Sequence, residues 1–433
     1  MSMTIEQYEA LQAAVLSKPP CISGTVPLPP EAATLFFHHG DTTRRLSFSN
    51  PDNAEVELLA KCCEPATFGL NKEDVFDETY RKAGKLDVDC FAMNIDLARL
   101  ELVEEISSRL LAQERPFKAE LYKLNVYGSG SFFKAHKDTP RGENMFGSLV
   151  LVLPSPHKGG ELVLRQNSNE WKYDSSTLTS QDGTPTISYV AFYGDIEHEV
   201  LPVESGYRIT LTYNLFFKKA RIPRAPSHDI ASHPLRVELE KALKEPTFLA
   251  DGGFIGWGLQ YDYPVQSRPI EGRRRRKNHL DAVAENLKGE DAIVAQICEE
   301  LKLTAKTYVI FETEENQPDI ILRHIPNLSD VPNEETYSHL ADLPDAIEVV
   351  DGTHPIKATK DGRANRPEVI WWLNDPKYVN AEVPHIGWGN QAGLDYEYGC
   401  FCLLIEVDDY EARVGDVASQ EGTSGIYLPT RTT

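Results

Sequence analysis

Cysteine is scarce in this chain of 433 residues: seven are present, an odd number, and no pair has the Cys-x-x-Cys spacing of a structural zinc site. A disulfide-built scaffold is excluded, and free thiols point to a reducing compartment, so the expected location is intracellular, cytoplasmic or nuclear. Positive charge is short as well. The 44 Lys and Arg face 66 Asp and Glu, a net charge of −22, whereas a nucleic-acid footprint needs clustered cations; nucleic acid is not an expected partner. Long hydrophobic runs are missing. The longest, residues 149–153 and 401–405, fall far short of the about 20 residues that cross a bilayer. The N-terminal MSMTIEQYEA has no basic flank before an apolar run, so neither a membrane nor a secretory route is expected. The basic run at 273–277 reads as a solvated loop.

What is present divides into three parts, for an α+β chain overall. Residues 1–118 hold helical patterns at 4–16 and 96–111, the second capped by Asp96, and read as a helical and mixed support region. Residues 119–219 change to short β-rich runs cut by turns (ELYKLNVY, FGSLVLVLP, ELVLR, ISYVAFYG, YRITLTYNLFF), the texture of a sandwich or barrel. Residues 220–433 open on a Pro-rich linker and continue as a mixed α/β extension that could be a second domain. Its helical patterns lie at 236–244 and at 280–301, the latter interrupted at Gly289.

A non-haem iron centre takes two imidazoles and one carboxylate on one face of the metal. His-x-Asp on a strand supplies two of these, since residues i and i+2 point to the same side. Three copies occur: His39/Asp41, His136/Asp138 and His279/Asp281. His39-Gly40-Asp41 reads as a surface loop because no alternating strand pattern follows its glycine. Asp281 falls in a helical pattern, and the residues that could complete its set, His354 and Arg363, lie in a turn-like stretch. His136 follows a strand and a glycine turn, and His198 comes at a strand end sixty positions after Asp138. Ten positions further is Arg208, whose strand puts Arg208, Thr210, Thr212 and Asn214 on one face. An interior Arg demands an anion, and a carboxylate cosubstrate between Arg208 and the metal would supply it, with Thr210 as a supporting hydroxyl. Asp195, Glu197 and Glu199 flank His198 and read equally as groups that orient its ring or as a solvated acidic turn.

The runs LYKLNVYGSGSFFKAHKDTPR, FGSLVLVLPS, GGELVLR and VAFYGDIEHEVLPVESGYRITLTYNL resemble the 2-oxoglutarate and Fe(II)-dependent oxygenases of the prolyl 4-hydroxylase-like group. The flanks, including CCEPATFGLNKEDVFDETYRKAG, are similar to those of fungal and bacterial members. The resemblance implies a double-stranded β-helix (jelly-roll) core at 119–219, with His136, Asp138 and His198 as iron ligands. It also implies Arg208 as the partner of the distal carboxylate of 2-oxoglutarate and Tyr127 beside that cosubstrate. No catalytic side chain beyond the metal ligands is implied. One departure stands out: the strand after the His-x-Asp loop reads Ser148-Leu149-Val150-Leu151-Val152 and lacks the tyrosine that several prolyl hydroxylases use there, so Ser148 or Tyr127 would help instead.

The expected function is therefore an Fe(II)- and 2-oxoglutarate-dependent dioxygenase. It would hydroxylate a C–H bond of a protein side chain or a small amino-acid-like substrate and release succinate and CO2, with ascorbate as the candidate reductant. The alternatives are a catalytically silent barrel used for protein interaction, and a cupin-like metal enzyme, which would not need Arg208. Residues 119–219 hold ten basic and eleven acidic side chains, net −1, so the acidity belongs to the flanks. That distribution favours a neutral or basic protein segment over an anionic metabolite as substrate.

Overall fold

Among the described residues, strands take up about twice as much of the chain as helices do. The computed structural model describes residues 3–16, 18–70, 73–111, 115–166, 168–176, 184–218, 228–265, 279–313, 317–332, 335–353, 367–376, 379–387 and 393–414. His354, Arg363 and the run 273–277 lie outside the described residues. The chain is mixed α+β and sheet-rich. It divides into two units, residues 19–225 and residues 1–18 with 226–433. Among the described residues no helix is long and apolar enough to cross a membrane.

The first unit is organised by a seven-stranded and a five-stranded sheet. The larger runs Cys21–Pro27, Thr186–Tyr193, Met145–Val152, Arg208–Phe217, Phe117–Tyr127, Gly84–Asp87, Glu64–Pro65. The smaller runs Asn169–Tyr173, Leu162–Gln166, Glu197–Val200, Phe132–His136, Arg81–Lys82. Their neighbours pair antiparallel. The two central strands Met145–Val152 and Thr186–Tyr193 are buried over most of their length, which is why both read as apolar runs with little alternation. Pro27 falls at the end of an edge strand, where the ladder tolerates a missing N–H.

Residues 1–118 do not stay together. Strands within 21–27, 64–65, 81–82 and 84–87 join the two sheets, whereas the helix Ile5–Ala13 goes with the C-terminal unit. That helix is closed by a reciprocal capping box between Thr4 and Gln7, and its Tyr8 hydroxyl donates to the Trp372 carbonyl at 2.7 Å. The helical pattern at 96–111 is not one helix. Asp96 caps a turn by accepting from the Ala98 N–H at 3.0 Å, Glu101 is left-handed at φ 57°, and an α-turn (Leu102–Glu105) runs into a π-turn (Ile106–Leu110). On a straight helix Leu100 and Leu111 would lie opposite Leu102 and Ile106. The break and the π-turn let all four be buried.

In the C-terminal unit the strands Gly253–Gly258, Glu368–Trp372, Ile347–Asp351, Asp319–Leu322, Thr304–Phe311, Gly393–Val407 and Val379–Gly387 form one sheet in that order. Gly253–Gly258 also pairs with Gly393–Val407, which closes the first six strands on themselves and leaves Val379–Gly387 as a strand added to Gly393–Val407. Its interior is apolar, built around Tyr308, Ile310, Ile321, Val349, Ile370, Cys402 and Leu404. The helices Pro234–Leu243, His279–Glu285 and Gly289–Glu300 accompany it, and the break before Gly289 falls where that residue takes φ +47°.

Gly147 sets how closely two strands approach in the first unit. A Cβ there would stand 2.2 Å from the Phe192 carbonyl oxygen, a backbone atom that cannot swing aside. Gly147→Ala is expected to lower stability by about 1–3 kcal/mol, the usual range for overpacking. The measurement is urea unfolding, with a lower midpoint at unchanged slope.

Candidate metal centre

The Phe132–His136 strand pairs with Glu197–Val200 through an irregular register that sets His136 opposite His198. Their ring centroids are 4.2 Å apart. Asp138 lies two residues past His136 in a loop fastened by its own N–H, which donates to the Gly194 carbonyl at 3.1 Å. Its Oδ1 stands 3.7 Å from His198 Nε2. One ligand atom from each of the three residues lies within 4.8 Å of the others, and this is the one such group found among the described residues.

Both rings are held by the main chain. His136 Nδ1 lies 2.8 Å from the Lys134 carbonyl and His198 Nδ1 lies 2.9 Å from the Ile196 carbonyl. A carbonyl can only accept, so each Nδ1 carries the proton and each Nε2 keeps a lone pair for a metal. Burial and the neighbouring His198 push His136 down to about 2, so its ring stays neutral. Phe133 stacks on His136 at 3.5 Å between centroids, and Phe192 lies 4.7 Å from the His198 ring. Asp138 is held by Ser148, whose Oγ donates to Oδ2 at 2.5 Å, leaving the other oxygen toward the histidines. Two imidazoles and one carboxylate suit Fe(II) by donor type.

The three residues open on a cavity of about 160 Å³ between the two sheets, lined also by Tyr127, Arg208 and Thr210. Antiparallel pairing sets Tyr127 opposite Arg208 and Asn125 opposite Thr210. Arg208 is 2% exposed, its Nε has no hydrogen-bond partner, and among the described residues no carboxylate pairs with it. The Tyr127 ring lies 5.6 Å from its guanidinium. Gly160, at φ +77°, clears the path of the side chain, since a Cβ there would meet Arg208 Cδ at 2.9 Å. Burial disfavours the charged form of Arg208, yet a guanidinium does not give up its proton in a protein. The residue therefore leaves an unmet demand for an anion with two acceptor oxygens.

The other His-x-Asp pairs are elsewhere. His39 and Asp41 flank the tight turn between strands Thr34–His39 and Thr42–Ser47, so a strand does follow, and both side chains are exposed. His279 and Asp281 lie on a helix. The acids near His198 do not hold its ring: Ile196 does, and Glu199 pairs with Arg165. Ser148, expected as a helper at the cosubstrate carboxylate, directs its proton to Asp138. Sequence reasoning missed three further lining residues, Arg81, Lys123 and Asn125. Asn125 accepts from Arg81 Nη2 at 2.8 Å and donates to Thr212 Oγ1 at 3.2 Å.

Residues 122–216 match the family model described as the 2OG-Fe(II) oxygenase superfamily. Solved structures similar to this chain include an oxidoreductase of the 2OG-Fe(II) oxygenase family from Burkholderia pseudomallei, 17% identical, covering 40% of this chain and 82% of that one at a TM-score of 0.24. A Pseudomonas putida prolyl-4-hydroxylase is 19% identical, covering 49% and 100% at a TM-score of 0.30. A Trichoplax adhaerens prolyl hydroxylase, solved with a hypoxia inducible factor oxygen degradation domain peptide fragment, is 19% identical, covering 38% and 75% at 0.27. No curated protein sequence matches the chain.

Loss of the Ser148 hydroxyl leaves Asp138 free to turn. Ser148→Ala is expected to weaken metal binding by about 10- to 100-fold, as for other groups that orient a ligand. Anaerobic Fe(II) titration, with circular dichroism to verify the fold, checks this.

Proposed function

We propose that residues 122–216, which match the 2OG-Fe(II) oxygenase superfamily model, use Fe(II) and 2-oxoglutarate, and that the chain hydroxylates a C–H bond of a peptide side chain or a small amino-acid-like molecule. The paired sheets are read as the faces of a double-stranded β-helix. The observation that carries the reading is the coincidence, in one cavity, of a two-histidine, one-carboxylate set and a buried guanidinium without a counter-ion among the described residues.

Each residue then has a task. His136, Asp138 and His198 hold iron, the two rings aimed by the Lys134 and Ile196 carbonyls and the carboxylate by Ser148. Arg208 receives the far carboxylate of 2-oxoglutarate, with Thr210 and Tyr127 beside it. The bound iron and cosubstrate supply the oxidising chemistry, in which O2 is consumed, 2-oxoglutarate becomes succinate and CO2, and the substrate C–H gains a hydroxyl. The apolar rings of Phe133 and Phe192 against the two histidines limit water around the ligands, which strengthens the electrostatic contacts there. A silent barrel would have no use for a buried, unpaired Arg208, and a cupin-like metal enzyme would not require it.

His136→Ala and Asp138→Ala are each expected to abolish iron binding and succinate formation. Arg208→Gln should keep iron and weaken 2-oxoglutarate by about 10- to 100-fold, the worth of a charge-assisted hydrogen-bond pair. The assay combines anaerobic iron titration, 2-oxoglutarate binding and succinate release after admission of oxygen. A wild-type chain that binds no 2-oxoglutarate and forms no succinate would overturn the assignment.

A further inference from the structure

The cavity holds more positive charge than iron and 2-oxoglutarate can use. Arg208, Arg81 and Lys123 all line it and are 2%, 6% and 8% exposed. Asp138 is the one carboxylate among the lining residues. With a divalent metal and a dianionic cosubstrate in place, those two charges cancel and Asp138 balances one cation. Two remain, in a setting where an unpaired charge costs several kcal/mol.

Neither Arg81 nor Lys123 is satisfied within the protein. Arg81 donates to neutral acceptors only, the Thr67 carbonyl at 2.6 Å and Asn125 Oδ1 at 2.8 Å, while its Nε is buried without a partner. It lies over Phe133, 4.3 Å from guanidinium carbon to ring centroid, and that ring stacks on His136. Arg81 is thus one ring away from a metal ligand. Among the described residues Lys123 meets no acceptor for its three N–H groups; its contact is cation–π, with Nζ 4.1 Å from the centre of the Tyr122 ring. A bulge between Leu121 and Lys123 turns Tyr122 to the cavity side. The Tyr122 hydroxyl accepts from Arg141 Nη2 at 2.6 Å, which fixes the ring under the ammonium. Asn125, two residues after Lys123 on the Phe117–Tyr127 strand, accepts from Arg81, so the arrangement is a built one.

We propose that Arg81 and Lys123, with Arg141 at the rim, form a substrate subsite for a carboxylate, so that the molecule oxidised carries an acidic group near the C–H bond presented to the metal. This rests on the oxygenase reading and deepens it by naming the substrate class. It reverses the expectation drawn from whole-chain charge, because the desolvated charges that meet the ligand are cationic while the acidic excess lies in the flanks. The carboxylate has two possible sources, a free amino acid or an acidic side chain in a peptide.

The test is equilibrium binding to the full chain, without oxygen, in Mn(II) and saturating 2-oxoglutarate. The probes are L-glutamate and acetyl-Gly-Glu-Gly-amide, each against its glutamine counterpart. At least one acidic probe is expected to bind about tenfold more tightly than its amide, as for a hydrogen bond to a charged partner, and which one binds identifies the source. Lys123→Met should remove that preference with 2-oxoglutarate affinity unchanged, and Lys123→Arg should restore it. Arg208→Gln should show the opposite pattern. Equal binding of acid and amide, no binding of either acid, or a loss of 2-oxoglutarate affinity in Lys123→Met matching that of Arg208→Gln would overturn the subsite. Failure of wild type to bind 2-oxoglutarate would instead remove the oxygenase reading, and the acid-against-amide comparison on the metal-free chain would then judge the subsite alone.

Discussion

The pairing of His136 with His198 across two neighbouring antiparallel strands is the constraint from which the site follows. The irregularity between Phe133 and His136 brings the two rings together, and only then can Asp138 in the adjoining loop converge on them. Because the candidate ligands come from two strands and a loop, a bound metal would fasten the ladder at that end of the smaller sheet. Metal loading would then add to folded stability in proportion to the logarithm of free metal over its dissociation constant.

Charge works at two ranges in this molecule. The excess of acids over the whole sequence acts through solvent and fades within roughly 10 Å at ordinary ionic strength. Arg81, Lys123 and Arg208 act on whatever enters the cavity, where little water screens them. An anion can therefore be selected inside a chain whose exterior field opposes it. The opposition falls mainly on the rate of encounter, and the buried contacts act on the rate of escape.

The candidate ligands and Arg208 could be singled out in the sequence because they obey a short local rule. His-x-Asp on a strand, a second His at a strand end, and Thr210, Thr212 and Asn214 in step with Arg208 all rest on a period of two, and these residues line one cavity. The rest of the site breaks that rule. The bulge at Leu121/Lys123 shifts parity, so that Tyr122 and not Leu121 lines the cavity. Arg81 arrives from a strand of two residues, too short for any periodic pattern. Ser148 and the carbonyls of Lys134 and Ile196 act through fold geometry with no marker in residue type. The segment 96–111 failed for a related reason: its apolar spacing is helical only if the left-handed Glu101 and the π-turn are ignored.

The helix Ile5–Ala13 belongs to the unit otherwise built from residues 226–433, so in chain order the unit of residues 19–225 is nested inside the other. During synthesis this helix emerges before the inner unit, while its partner at Trp372 emerges more than three hundred residues later. The nested unit can finish folding in that interval, since all its strands lie between residues 19 and 225. Its completion would replace a long flexible loop by a folded body and lower the entropy that closing the outer unit must overcome. The order of events on the ribosome would thus be inner unit first, outer unit last, with residues 5–13 held in waiting.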